Sequence, residues 1–137
     1  MSEDGLIATV DRLRLALEGG DVHAAGELLA DDIVFHSPVT FYPFTGRETV
    51  TRLLGEVVQV FEDFRYVNDV SAGSTHGLIF RARVGDREIE GLDLLRFNEQ
   101  GFVADFTVML RPLSALVPFA QAMAERVQAA GLQTTRQ

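Results

Sequence analysis

Apolar residues recur at helical spacing in three stretches between Leu6 and Phe61, at a spacing of two from Phe64 to Leu110, and helically again after Pro112. Leu6, Val10, Leu13 and Leu17 share one face, which predicts a first helix from about Leu6 to Glu18. Gly19-Gly20 stops it. Asp21 then offers a side-chain oxygen to cap a short second helix, with Val22, Ala25, Leu28 and Leu29 inward and Asp31-Asp32 at its end. Ile33 to Ser37 reads as a strand closed by Pro38. Val39 to Phe44, aromatic and interrupted by Pro43, reads as an irregular strand or loop. Thr45 and Glu48 have capping-box spacing, and Val50, Leu53, Leu54, Val57, Val58 and Phe61 give a third helix its apolar stripe.

Beyond Phe64 the alternation predicts four antiparallel strands. Phe64, Tyr66, Asn68 and Val70 lie on one face of the first, and Leu78, Phe80, Ala82 and Val84 on one face of the second. Gly73-Ser74, Gly85-Asp86 and Asn98 to Gly101 are the turns, and turns this short pair neighbouring strands in order. Leu116, Ala120, Met123, Ala124 and Val127 predict a last helix, kinked or restarted at Pro118 and capped by Gly131, with a polar, frayed tail. Helices first and a curved meander after them make an α+β fold, a sheet wrapped over helices. One domain over residues 1–137 is expected, its core about 6–112 and its C-terminal helix about 113–131.

Composition narrows the function classes. A chain of 137 residues, 47% hydrophobic and 23% charged, is globular and fits one core. With no cysteine it has no disulfide, thiolate nucleophile or zinc–thiolate site. The absence fits a reducing compartment, and Met1 to Asp11 lacks the pattern of a signal peptide, so a cytoplasmic protein is expected. The formal net charge of −8 argues against nucleic acid and anionic membranes as partners. Arg81, Arg83 and Arg87, the one basic cluster, read as a solvated strand face. The three histidines lack metal-ligand spacing, and no phosphate-cradling glycine loop or nucleophile elbow is present, so neither metal nor cofactor is expected.

Several segments resemble the nuclear transport factor 2-like superfamily, which includes ketosteroid isomerases, limonene epoxide hydrolases and SnoaL-like polyketide cyclases. Gly20-Asp21 with Leu28 to Asp32 is similar to its first two helices and their exit. Ser37-Pro38-Val39 and Phe44 to Arg47 are similar to its strand–loop–helix passage. Gly91 to Phe97, the Gly101 turn and Phe106 to Pro112 are similar to its last hairpin. The resemblance implies a cone-shaped pocket between sheet and helices and a homodimer through the outer sheet face. It does not by itself fix a function.

Asp93 is the leading candidate for chemistry. It shares a strand face with Ile89, Gly91, Leu95 and Phe97, so if that face is inward a carboxyl sits on an apolar wall. Desolvation there raises its pKa, and a neutral carboxylic acid can donate a hydrogen bond to a developing oxyanion. The resemblance puts Asp93 at the isomerases' oxyanion-hole aspartate. The alternative is a structural carboxylate held by backbone amides or by Arg47 or Arg81. By the same resemblance the isomerase base falls at Ser37 and the oxyanion-hole tyrosine at Leu13, so a ketosteroid isomerase is not expected. The epoxide hydrolases' arginine falls at Gly91 and their second aspartate near Val108.

His36 is a second candidate, because histidine with aspartate is the smallest set for acid–base work and SnoaL-like cyclases use such an arrangement. Strand parity opposes it. If Ser37 points inward, His36 points outward unless a bulge intervenes. Tyr42, with Phe41 and Phe44, is a candidate lid residue. Tyr66 beside Phe64 reads as core packing, His23 and His76 as solvated, and Asp105 as lying off the pocket. The expected pocket lining is Ser37, Phe64, Leu78, Phe80, Leu95, Phe97, Phe106 and Leu110. The leading reading is a protein that binds a small, largely apolar ligand. The alternatives are a cofactor-free isomerase, cyclase or hydrolase acting through Asp93 with His36 or Tyr42, and a dimerisation or interaction domain.

Overall fold

A computed structural model describes residues 2–135. Helix α1 (Glu3–Glu18) starts ahead of its apolar stripe because Ser2 caps it, its hydroxyl accepting the Gly5 amide at 3.1 Å. Its buried face holds Leu6, Val10, Leu13 and Leu17, as the periodicity requires. Asp21 caps α2 (Val22–Gly26) by accepting the Ala24 amide at 3.1 Å. This helix stops at Gly26, earlier than expected. A Cβ there would lie 2.6 Å from Thr51 Oγ1, so only glycine lets α2 rest on the next helix.

Strand β1 (Leu29–His36) therefore contains Asp31 and Asp32 rather than following them. Both are exposed, within a register irregularity between Leu29 and Val34, and Arg47 closes on the Leu29 carbonyl (2.9 Å) and the Asp31 carboxylate (3.1 Å). Thr45 is not a cap. It lies in the short strand β2 (Phe44–Thr45), and α3 (Arg47–Val60) begins after Gly46, whose φ of +93° suits glycine.

The four-strand meander forms as the alternation predicts: β3 (Glu62–Ala72), β4 (Thr75–Val84), β5 (Arg87–Phe97) and β6 (Val103–Arg111). Sheet order is β2-β1-β6-β5-β4-β3, antiparallel except for the parallel β1–β6 pair. The inward face carries Leu78, Phe80 and Ala82 on β4, Ile89, Gly91, Asp93, Leu95 and Phe97 on β5, and Val103 and Phe106 on β6. Each large apolar side chain buried here contributes about 1.5–3 kcal/mol.

Helix α4 (Leu113–Ala130) runs through Pro118 without a break and ends at Gly131 in the left-handed conformation. Up to Thr135 the tail packs back on the fold instead of fraying, and its last two positions lie outside the described residues. Leu132 is buried, the Thr135 amide donates to the Pro43 carbonyl at 2.7 Å, and the Thr135 and Thr45 hydroxyls meet at 2.6 Å. Among the described residues no helix is long and apolar enough to cross a membrane.

Candidate functional site

Between the inward sheet face and helices α1, α3 and α4 lies a cavity of about 470 Å³, within the range of about 300–1,000 Å³ typical of ligand pockets. Its walls are mostly apolar: Phe35, Phe80, Phe106 and Val108 from the sheet, Leu53, Leu54 and Val57 from α3, and Phe119, Met123 and Val127 from α4. The C-terminal helix is thus one wall of the cavity.

The polar end of the cavity is built by β3 and β5. Asp93 pairs across the ladder with Leu78, and Tyr66 pairs with Phe80, so β4 separates the two residues. Tyr66 spans that gap and its hydroxyl donates to Asp93 Oδ2 at 2.6 Å. Phe80 leaves room by lying over Gly91, its direct cross-strand partner. Helix α1 fixes Tyr66 from the other side. Glu18 accepts the Tyr66 amide at 2.9 Å, and the Arg14 guanidinium stands 5.9 Å from the Tyr66 ring centroid.

Both side chains are buried, Asp93 with 4% exposure and Tyr66 with 7%. Burial drives the Asp93 carboxyl up from 3.8 to about 7, against the Tyr66 hydrogen bond, which lowers it. Burial and the Asp93 charge hold Tyr66 well above 10, so it remains a donor. Among the described residues no second partner reaches Asp93 Oδ1, and no buried side-chain oxygen is sealed without a partner. Asp93 lines the cavity, so Oδ1 opens on it. The carboxyl can offer a ligand a hydrogen-bond donor below neutral pH and an acceptor above it.

The other sequence candidates divide. Ser37, Phe64, Phe80 and Phe106 line the cavity. Ser37 Oγ is occupied by its own turn: it accepts the amides of Val39 (3.3 Å) and Thr40 (3.1 Å). Leu78, Leu95 and Phe97 are buried in the core beyond the cavity wall, and Leu110 is half-buried outside it. His36 is not brought to Asp93. As parity required, it points to the outer face, where Nε2 lies 3.2 Å from Asp105 Oδ2 beside a shallow groove with Arg96 and Phe41. Tyr42 stands against Phe41 and away from the cavity wall. His76 is buried edge-on against Phe97 rather than solvated. The residue that sequence reasoning missed is Tyr66. Its signal was its place two residues after Phe64 on an inward strand face, where an aromatic reads equally as core.

The sequence profile of the SnoaL-like domain matches residues 10–111. The chain is a member of the SnoaL-like domain family. The SnoaL-like chain belongs with the nuclear transport factor 2-like folds. It is similar to a steroid delta-isomerase from Pseudomonas aeruginosa, with 34% identity over 96% of this chain and 97% of that chain and a TM-score of 0.88. It is also similar to an uncharacterised protein with a cystatin-like fold from Silicibacter pomeroyi DSS-3, with 35% identity over 90% and 87% of the two chains and a TM-score of 0.86. A protein from Catenulispora acidiphila DSM 44928 with a ketosteroid isomerase-like fold, crystallised with trimethylamine, is 16% identical over 82% and 92% of the chains at a TM-score of 0.64, a likeness of fold alone. Comparison with curated proteins gives no match. The SnoaL-like match ends before α4, so the helix that closes the cavity lies outside the matched region.

Proposed function

We propose that this SnoaL-like domain binds a small, largely apolar molecule through one polar group docked on Asp93. The observation that carries the reading is a buried polar pair, Tyr66–Asp93 at 2.6 Å, at the end of a mostly apolar cavity of about 470 Å³. Apolar walls supply affinity, and one placed polar group fixes orientation. Chemical-shift mapping of the ¹⁵N,¹³C-labelled protein with a panel of cyclic ketones, phenols and amines tests it. The expected shifts fall at Phe80, Tyr66, Val108 and Phe119. Shifts confined to the outer groove around His36 and Arg96, or none with any probe, refute it.

Cofactor-free acid–base catalysis is the second reading, favoured by the 34% identity with the Pseudomonas aeruginosa steroid delta-isomerase and by the buried Asp93. A general base must reach the proton it removes. Ser37, at the position the resemblance assigns to that base, is a serine spent on its turn. Of the other carboxylates on the cavity wall, Glu18 is engaged with the Tyr66 amide, and Asp63 with Arg83 at 2.6 Å. The binding reading accordingly predicts no double-bond migration in a β,γ-unsaturated steroid ketone. Turnover abolished in Asp93→Asn would promote the enzyme reading over it.

A further inference from the structure

The ionisable side chains on the cavity wall are acidic or phenolic. Glu18, Asp63 and Asp93 line it with Tyr66, and among the described residues no Arg, Lys or His does. Arg83 offsets Asp63. Glu18 and Asp93 have no guanidinium partner among the described residues. A ligand carbonyl would bring further negative potential to this end of the cavity, whereas a cation would balance it.

The apolar wall next to Asp93 is aromatic. Phe61, Phe64, Tyr66, Phe80 and Phe119 form one connected aromatic cluster: Phe64–Phe80 centroids are 4.8 Å apart, Phe61–Phe119 5.0 Å and Phe64–Tyr66 5.0 Å. All five line the cavity. Ring faces attract cations by their quadrupole, most strongly where water is excluded. Tyr66 already satisfies one oxygen of Asp93, and the other opens on the cavity without a donor. A single N⁺–H would complete it with a charge-assisted hydrogen bond. The net charge of −8 draws cations towards the molecule.

Building on the binding reading above, we propose that the ligand's polar group is a protonated amine on an apolar body, its N⁺–H on Asp93 Oδ1 and its alkyl groups against the aromatic cluster. An alkylamine, like the lysine ammonium with its ordinary value of about 10.4, remains charged at pH 8. Tyr66 is the ionisable group in contact with Asp93. Glu18 and Arg14 on α1 stand around Tyr66, Asp63 with its Arg83 lines the cavity from β3, and His76 lies on the inward face of β4. The facing positions on β6, α3 and α4 are apolar.

The test is calorimetry at pH 8 and 0.15 M salt with three probes of one naphthyl skeleton: a tertiary amine, its quaternary methylated form and the neutral ketone. The amine should bind at least tenfold tighter than the ketone, with the quaternary cation between them because it keeps the charge and lacks the N–H. Asp93→Asn should cost the amine at least tenfold and bring its affinity within threefold of the ketone's. Tyr66→Phe, which keeps the ring but raises the carboxyl's midpoint, should weaken the amine preference at pH 8 and regain it as the pH is raised to 9; it serves if the asparagine variant does not fold, and a preference that does not change with pH overturns the assignment. A ketone that binds as tightly as the amine, with shifts in the cavity, overturns the amine assignment and leaves the binding reading standing. Absence of cavity shifts with all three probes overturns both.

Discussion

Replacing Asp93 by asparagine should stabilise the fold at pH 8 and leave it nearly unchanged at pH 4. In the folded chain the carboxyl titrates at about 7, against the ordinary value of 3.8 expected for the unfolded chain. Below about 3.8 both states hold the proton and the site costs nothing. Between 3.8 and about 7 the unfolded chain ionises while the folded one stays neutral, so stability falls as pH rises. Above about 7 both are charged and the whole penalty is present. A gap from 3.8 to about 7, at ~1.4 kcal/mol per pH unit, gives roughly 4 kcal/mol, a large part of the ~5–15 kcal/mol that holds a domain together. Asparagine keeps an oxygen for the Tyr66 hydroxyl and has no charge to desolvate. Urea unfolding followed by circular dichroism at pH 4, 6 and 8 measures the difference. With a slope of about 2 kcal/mol/M, the variant's midpoint should lie about 2 M higher at pH 8 and coincide with the parent's at pH 4. An offset independent of pH, or a variant less stable at pH 8, would refute the reasoning that desolvation dominates at this carboxyl.

Two further outcomes test the surroundings. In Gly91→Ala the new Cβ would fall among the Phe80 ring carbons, 2.7 Å from Cε1, so the ring must move and urea unfolding should show a loss of about 1–3 kcal/mol; a change below about 0.5 kcal/mol would mean that Phe80 does not lie over the glycine. Leu132→Ala should cost about 2–5 kcal/mol if the tail packs on the core, and no measurable amount if it frays.

Local signals carried most of the fold. The meander was legible because Gly85-Asp86 and the Asn98 to Gly101 turn fix which strands pair, and alternation along Ile89 to Phe97 fixed which face is buried. The parallel β1–β6 pairing was not, because nothing near Ile33 or Phe106 encodes a partner so far along the chain. The early end of the second helix was not legible either, nor was the close approach of Gly26 to Thr51 on the next helix, which joins residues far apart in the chain. Asp93 was legible as a carboxyl on an apolar face, whereas the parity of His36 and Ser37 left the side of the histidine to depend on which way Ser37 pointed and on whether a bulge intervened. Tyr66 was not, since its hydroxyl partner lies on another strand and a tyrosine beside Phe64 carries no mark that separates a ligand-facing phenol from a core one. The tail's return to Pro43 likewise depends on where β2 lies in space.

The central claim is that the Tyr66–Asp93 pair is the polar end of a ligand cavity. Its most direct test is the ¹³C NMR titration of the Asp93 carboxyl, alone, in Tyr66→Phe, and with the tertiary amine bound. The account predicts a midpoint at about 7 in the free protein, a higher one when the Tyr66 hydroxyl is removed, and a lower one when an ammonium sits beside the carboxylate. A midpoint near the ordinary 3.8, or one that no cavity-bound probe moves, would contradict it.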